Sequence, residues 1–548
     1  MAHLITPLLL QLDLTLGRLG DLLRTAADRV DELVAESARL RAAPPPQPEP
    51  TFHLTTFGST AFVHAVDLLG DRPELAEIRW DFGDPAPHAD HNTLGGFNAA
   101  HDFATPGDHT ITLTITADGE TRTYRRDVTI IADHRPLTEV PDGGDLHAAA
   151  ADGGRIGLRR GASYDLDRPL PLTGGMSLEA TGDGEPPLIR YTGPVNKSGV
   201  FPIAGGVVNV RLDGLSITTG RSDEPDRHER PTLLTPAGRG VTVRRCTFDG
   251  FDSILNAERR PNGVLVQGCQ VPGETGLAGY FTWGAGSDLV LLGNVVANST
   301  REHVVRLGGG ADRTLIAGNT FTNADRRDVD PADYSKSSVT MQLGTYGWAE
   351  GNTLVGPASV GPLHGADGLK VRADRFRFAV YKGNTVSDPQ RRQAMEVRHG
   401  ASNVRLTGNT IHATDHDAIQ LDGHAPAFGR GNAHVLIDAN TATNAGKHGS
   451  FLRVLADAED VTVRGNTYVA PSLEPGSHET AVVTMTLTDP STFTFEANDW
   501  PDVGGRNRWV PGGAFYVART WSEPGGYLTA ERFDRATGTA GVNPSALR

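Results

Sequence analysis

The chain has 548 residues, including 65 Gly and 35 Pro, with 6% aromatics and a formal net charge of −15. That length leaves room for roughly two to four domains; the turn-rich composition argues against a helical protein, and the negative charge against nucleic acid as a general partner. Its 2 Cys are too few for a disulfide scaffold, and no apolar run is long enough for a transmembrane span. The N-terminus lacks the basic start of a signal peptide, and Asp13 interrupts its apolar part, so no signal peptide is visible.

Residues 4–43 predict one helix. Leu9, Leu16, Leu23, Val30 and Ser37 recur every seven residues, with Leu12, Leu19, Ala26, Leu33 and Leu40 three further on. Apolar a and d positions of this kind form a coiled-coil seam. Leu8, Leu22 and Val34 widen it beyond a narrow dimer stripe, so residues 1–43 are expected to build a homo-oligomer, a trimer. An amphipathic helix lying on the protein's own surface is the alternative. Gly17 and Gly20 weaken the helix, each by up to about 1 kcal/mol. Residues 44–50, Pro44-Pro45-Pro46-Gln47-Pro48-Glu49-Pro50, follow as a stiff extended linker.

Residues 51–134 change to short alternating runs such as Ala61-Phe62-Val63-His64-Ala65-Val66 and Thr110-Ile111-Thr112-Leu113-Thr114-Ile115, which predict a β-sandwich. Trp80-Asp81-Phe82-Gly83-Asp84, followed by His101-Asp102-Phe103-Ala104-Thr105-Pro106-Gly107-Asp108-His109, resembles the polycystic-kidney-disease (PKD) domain. Pro85, Phe103 and His109 depart mildly from its pattern. Trp80 and Phe82 alternate into the core, and Asp81 and Asp84 cap turns. The resemblance implies a module of extracellular proteins, used as a spacer and in places as a carbohydrate binder; the spacer role is expected here.

Residues 135–500 are built on a repeat. Gly293-Asn294, Gly318-Asn319, Gly351-Asn352, Gly383-Asn384, Gly408-Asn409, Ala439-Asn440, Gly465-Asn466 and Ala497-Asn498 place Asn at steps of 25, 33, 32, 25, 31, 26 and 32 residues. Cys246 and Cys269 continue the series backwards, so the two thiols should be buried neighbours. Each Asn follows a period-2 run such as Thr314-Leu315-Ile316-Ala317 and precedes a second short strand such as Thr320-Phe321-Thr322. A third strand, such as Ala394-Met395-Glu396-Val397, closes the coil. Three helix-free strands per repeat give an all-β fold, a right-handed single-stranded parallel β-helix, with the Asn side chains hydrogen-bonded in a ladder. The short helix at Asp145–Ala151 and the strands after it resemble the N-terminal cap and first coils of pectin-lyase-like proteins. Such a cap closes an otherwise open sheet end. Residues 501–548 are expected to cap the C-terminal end or lie along it.

Aligning the third strands on their inward apolar pairs leaves an outward column of Arg306, Gln342, Lys370, Glu396, Gln420, Arg453 and Thr486. Arg372, Arg398 and Asp422 stand in the next column, with His399 and His424 just beyond. The resemblance implies that such a face holds a polyanionic sugar. β-Elimination needs a base at the sugar C5 proton and a cation beside the carboxylate; Lys370, Arg372 and Arg398 are the catalytic candidates. Arg306, Gln342, Glu396, His399, Gln420, Asp422, His424 and Arg453 are the substrate-binding candidates. The same charges could simply pair across a solvated face. Asp415-His416-Asp417 and Asp422 offer carboxylates for a glycoside hydrolase or for Ca²⁺, the one cofactor suggested. The expectation is an extracellular or surface protein that binds an acidic polysaccharide, as a lyase first and a glycoside hydrolase second. Its rival is a non-catalytic fibre or adhesion protein with a β-helical shaft.

Overall fold

The computed structural model describes residues 22–33, 51–86, 91–224, 226–273, 276–299, 302–322, 337–356, 361–362, 376–387, 393–398, 400–413, 417–422, 431–446, 448–455, 457–471, 481–486, 489–500, 513–518 and 526–529. The chain forms two compact units, Met1–Thr51 and Phe52–Arg548. In the first, residues 22–33 are helical, and Leu22, Leu23, Val30 and Leu33 are all exposed. The rest of the expected helix, and the linker 44–50, lie outside the described residues.

The second unit is dominated by a parallel β-helix. Its first sheet has fourteen described strands, from Leu137–Val140 to Phe493–Glu496, and its second has twelve, from Ser163–Leu166 to Thr467–Val469. The third sheet comes as seven strands from Phe201–Ile203 to Gly361–Pro362 and six from Met395–Arg398 to Gly526–Thr529. In each coil the chain crosses first, second and third sheet in turn, and like strands pair in parallel from coil to coil. The last pairing, Gly513–Ala518 with Gly526–Thr529, is antiparallel, so the third sheet continues past Trp500.

The corner between first and second sheets explains the repeat. Gly293, Gly318, Gly351, Gly383, Gly408 and Gly465 all turn the chain at φ between 58° and 64°, a region open to glycine at no steric penalty. Ala439 and Ala497 hold the same slot at φ 54° and 49°. The Asn that follows points inward and is fully bonded. Asn409 Nδ2 donates to Asn440 Oδ1 (2.9 Å) and to the Tyr381 carbonyl (2.9 Å), and its Oδ1 accepts from the backbone N–H and Nδ2 of Asn384, both at 3.0 Å. The ladder runs unbroken from Asn294 to Asn498. It begins at the buried Cys269, whose N–H donates to Asn294 Oδ1 at 2.9 Å. Cys246 and Cys269 are both free and buried, and burial pushes the Cys269 thiol well up. At the N-terminal end the helix Leu146–Ala150, capped by Asp145, places Leu146 and Ala150 in the β-helix core.

Residues 52–130 form a sandwich of a three-stranded and a four-stranded antiparallel sheet. Trp80 and Phe82 are fully buried between them. Asp81 Oδ1 accepts from Gly83 N–H at 2.9 Å, and Asp84 accepts from Ala104 N–H and contacts His101 Nε2, each at 2.9 Å. The expected spacer role does not match the packing, because the sandwich lies against the outer face of the first sheet. Leu265, Val290, Leu315, Trp348 and Val380, one outward column of that sheet, join its core in a single apolar cluster. Phe97 meets Trp348 edge-on at 5.2 Å. Arg211 grips Asp102 with two bonds of 2.8 and 2.9 Å. Glu77 receives Lys382 at 2.6 Å and Arg405 at 2.9 Å. Burial alone would raise the Glu77 carboxyl, but these two cations outweigh it and hold it below its ordinary value.

Candidate functional site

The three outer faces of the solenoid differ in what they can bind. The sandwich covers much of the first. The second is joined to the first by tight Gly-Asn turns. The long connections 323–338, 363–376, 388–394, 423–431 and 470–482 all begin or end on third-sheet strands. Loops carry binding groups on a rigid scaffold, so the third-sheet face is where the fold supplies them.

On that face the strands from Met395–Arg398 to Leu452–Val454 follow the expected register. Met395, Val397, Ile419, Leu421, Leu452 and Val454 point inward and are buried. Glu396 pairs with Gln420, Gln420 with Arg453, and Arg398 with Asp422 across adjacent coils. Arg453 is followed by Thr484 rather than Thr486, and Arg306 by Thr340 rather than Gln342. Gln342 lies just past its strand, yet its Oε1 still accepts from Arg306 Nε at 3.3 Å. The strand that pairs next is Gly361–Pro362, not the run around Lys370. Lys370, Arg372, His399 and His424 lie outside the described residues, as do Asp415 and His416.

The described charges are matched. Arg398 Nε is 3.2 Å from Glu396 Oε1 and 3.4 Å from Asp422 Oδ2. Gln420 Nε2 donates to the same Glu396 oxygen at 3.4 Å. One coil on, Arg453 Nη1 donates to Asp417 Oδ2 at 3.0 Å, and Asp417 Oδ1 accepts from Ser450 N–H at 2.8 Å. Three carboxylates thus meet two guanidinium groups. Although its strand position faces away from the solenoid core, Glu396 is only 2% exposed and Asp422 8%. Both carboxylates are therefore shielded from solvent. Among the described residues no cluster of three His, Cys, Asp or Glu side chains is placed to hold a metal ion.

The N-terminal half of the same face holds Arg227, Tyr280 and Trp283, which the sequence reading passed over. Arg227 Nη1 donates to Glu302 Oε1 at 2.5 Å, and its Nε lies 3.1 Å from Asp252 Oδ1. The Arg227 guanidinium sits 5.3 Å above the Tyr280 ring, which stacks on Trp283 at 5.3 Å. Burial, followed by the Glu302 charge, raises the Tyr280 hydroxyl above its ordinary value. Trp283 shares its outward column with Arg306.

The class defined by this architecture is a parallel β-helix protein with a PKD sandwich docked on its flank. Residues 49–131 match the PKD domain. Among solved structures, the chain is similar to the DFA-IIIase of Arthrobacter chlorophenolicus A6, at 13% identity and a TM-score of 0.39, covering 65% of this chain and 88% of that one. It is also similar to a tailspike protein of E. coli bacteriophage HK620, at 12% identity and a TM-score of 0.42, covering 69% and 78%. A third is the family 28 exopolygalacturonase of Yersinia enterocolitica, at 10% identity and a TM-score of 0.38, covering 82% and 99%. A search of curated proteins finds no match.

Proposed function

We propose that this is an extracellular protein that binds a polysaccharide along the third-sheet face and hydrolyses it at Glu396 and Asp422. The observation that carries this reading is the carboxylate pair: two acids from adjacent coils, both within 3.4 Å of one Arg398 nitrogen, on the face flanked by the long connections. Glycoside hydrolysis uses two nearby carboxyl groups, one donating a proton to the leaving oxygen and one acting on the anomeric carbon or its attacking water. Arg398 holds the pair together and keeps its charge in balance. The helix around residues 22–33, with its exposed leucines, assembles the chain into oligomers and so multiplies binding sites on one polymer.

β-Elimination of an acidic polysaccharide comes second. It relies on Lys370 and Arg372 for uncompensated positive charge, because Arg398 and Arg453 are already matched by carboxylates. The test is to incubate the full chain with polygalacturonate, alginate, amylose and a β-glucan, following new reducing ends and the ultraviolet absorbance of unsaturated uronates. Reducing ends without that absorbance, lost in Glu396→Gln and kept in the distant surface change Arg190→Glu, support the proposal. Unsaturated products favour elimination, and no cleavage with any polymer favours the fibre.

A further inference from the structure

We propose that Trp283 is the stacking platform of a second glycan subsite, which holds a sugar ring four coils N-terminal to the Glu396–Asp422 pair. This rests on the polysaccharide reading of the same face and identifies its substrate as a linear glycan lying along the solenoid axis.

The strand Thr282–Gly284 has its orientation opposite to what burial favours. Thr282 and Gly284 point inward, in register with Val305 and Leu307, while Trp283 points outward and stays partly exposed. A tryptophan gains far more than threonine or glycine from leaving water, so core packing does not explain its place on the outer face. What surrounds it suits a sugar. The Tyr280 ring lies nearly parallel to it, tilted by 21°, and is itself fixed by Arg227, which Glu302 holds at 2.5 Å. The platform is therefore rigid before any ligand arrives. Arg306 is the next residue in the outward column, and its guanidinium supplies hydrogen-bonding groups beside the ring. A pyranose has an apolar C–H face and a polar rim. An aromatic plane edged by a guanidinium matches both, the combination of apolar wall and few polar groups that defines a small-molecule subsite.

The position fixes the substrate's length. First-sheet pairing steps from Ser287–Leu292 through Ala311–Ala317, Gly344–Glu350 and Arg377–Lys382 to Ser402–Thr407. The coils of Trp283 and Glu396 are therefore four steps apart, roughly 19 Å at the strand spacing of a sheet. A single ring cannot touch both places, whereas an extended oligosaccharide of several rings can.

The experiment compares the full chain with Trp283→Ala, Trp283→Phe, Arg306→Gln and Glu396→Gln. Each is run by affinity electrophoresis through gels of polygalacturonate, alginate, amylose or β-glucan, with reducing-end release measured in parallel. Trp283→Ala should weaken retardation about tenfold, equivalent to roughly 1.4 kcal/mol. Trp283→Phe should recover most of it, and Arg306→Gln should weaken it severalfold. Glu396→Gln should keep retardation and lose cleavage. If the wild type is retarded and cleaves but Trp283→Ala and Arg306→Gln match it, the subsite is refuted and the hydrolytic reading stands. If Trp283→Ala loses retardation while Glu396→Gln still cleaves, the subsite stands and the assignment of the carboxylates falls. A wild type that no gel retards overturns both.

Discussion

Replacing Asn409 with Ala tests the ladder at its middle. The residue is fully buried. Its side chain donates to Asn440 Oδ1 and the Tyr381 carbonyl and accepts two bonds from Asn384. After truncation, the backbone N–H and one Nδ2 hydrogen of Asn384 have no acceptor in a dry interior. Each orphaned buried donor costs about 1–3 kcal/mol, so the pair amounts to about 2–6 kcal/mol. Asn440 Oδ1 keeps the backbone N–H of residue 409, which limits the damage on that side. The neighbouring change Thr410→Ala, on the outward face of the second sheet, should stay within about 0.5 kcal/mol. The assay is urea unfolding together with hydrogen exchange of the peptide containing Asn384. Expected are a lower midpoint and faster exchange at Asn384 in Asn409→Ala, with Thr410→Ala unchanged. Equal midpoints and equal protection in the two variants would refute the claim that the Asn column supports the coils.

Two further outcomes follow from other parts of the chain. Deleting residues 1–43 should leave a folded monomer, while the full chain scatters light as an oligomer; a full chain already monomeric at micromolar concentration refutes the coiled coil. Burial, then the Arg313 charge, lowers His64 from 6.5 to about 4, so folding favours its neutral form. Its contribution to stability is complete above pH 6.5, declines below that and is gone once the pH passes about 4. The wild type should therefore lose stability more steeply than His64→Gln over this window, measured by thermal melts. Parallel curves would refute the assignment.

Much of the fold was legible because it is written locally and repeated. Gly-Asn marks the same turn in six coils, and the PKD motif carries its core residues Trp80 and Phe82 at alternate positions. The register of the third strands was harder. In Val339-Thr340-Met341-Gln342-Leu343 a frame shifted by two residues keeps every side chain on the same face, so alternation cannot tell Thr340 from Gln342; Thr484 and Thr486 present the same ambiguity. The docking of the sandwich had a signal that was passed over. Val264-Leu265-Val266 and Leu289-Val290-Leu291-Leu292 lose their alternation because both faces of those strands are buried. Trp283 was missed for the opposite reason: flanked by Thr282 and Gly284, it reads as an inward residue, and only the pairing with Val305 and Leu307 turns it outward.

The most direct test of the central claim is hydrogen exchange of the full chain with and without whichever of the four polymers it cleaves. The third-sheet face predicts slower exchange in Val305–Leu307, Met395–Arg398, Ile419–Asp422 and Leu452–Val454, with second-sheet strands such as Thr320–Thr322 and Thr441–Asn444 unchanged. Protection confined to the second sheet or to the sandwich, or no protection and no cleavage with any of the four, would contradict it.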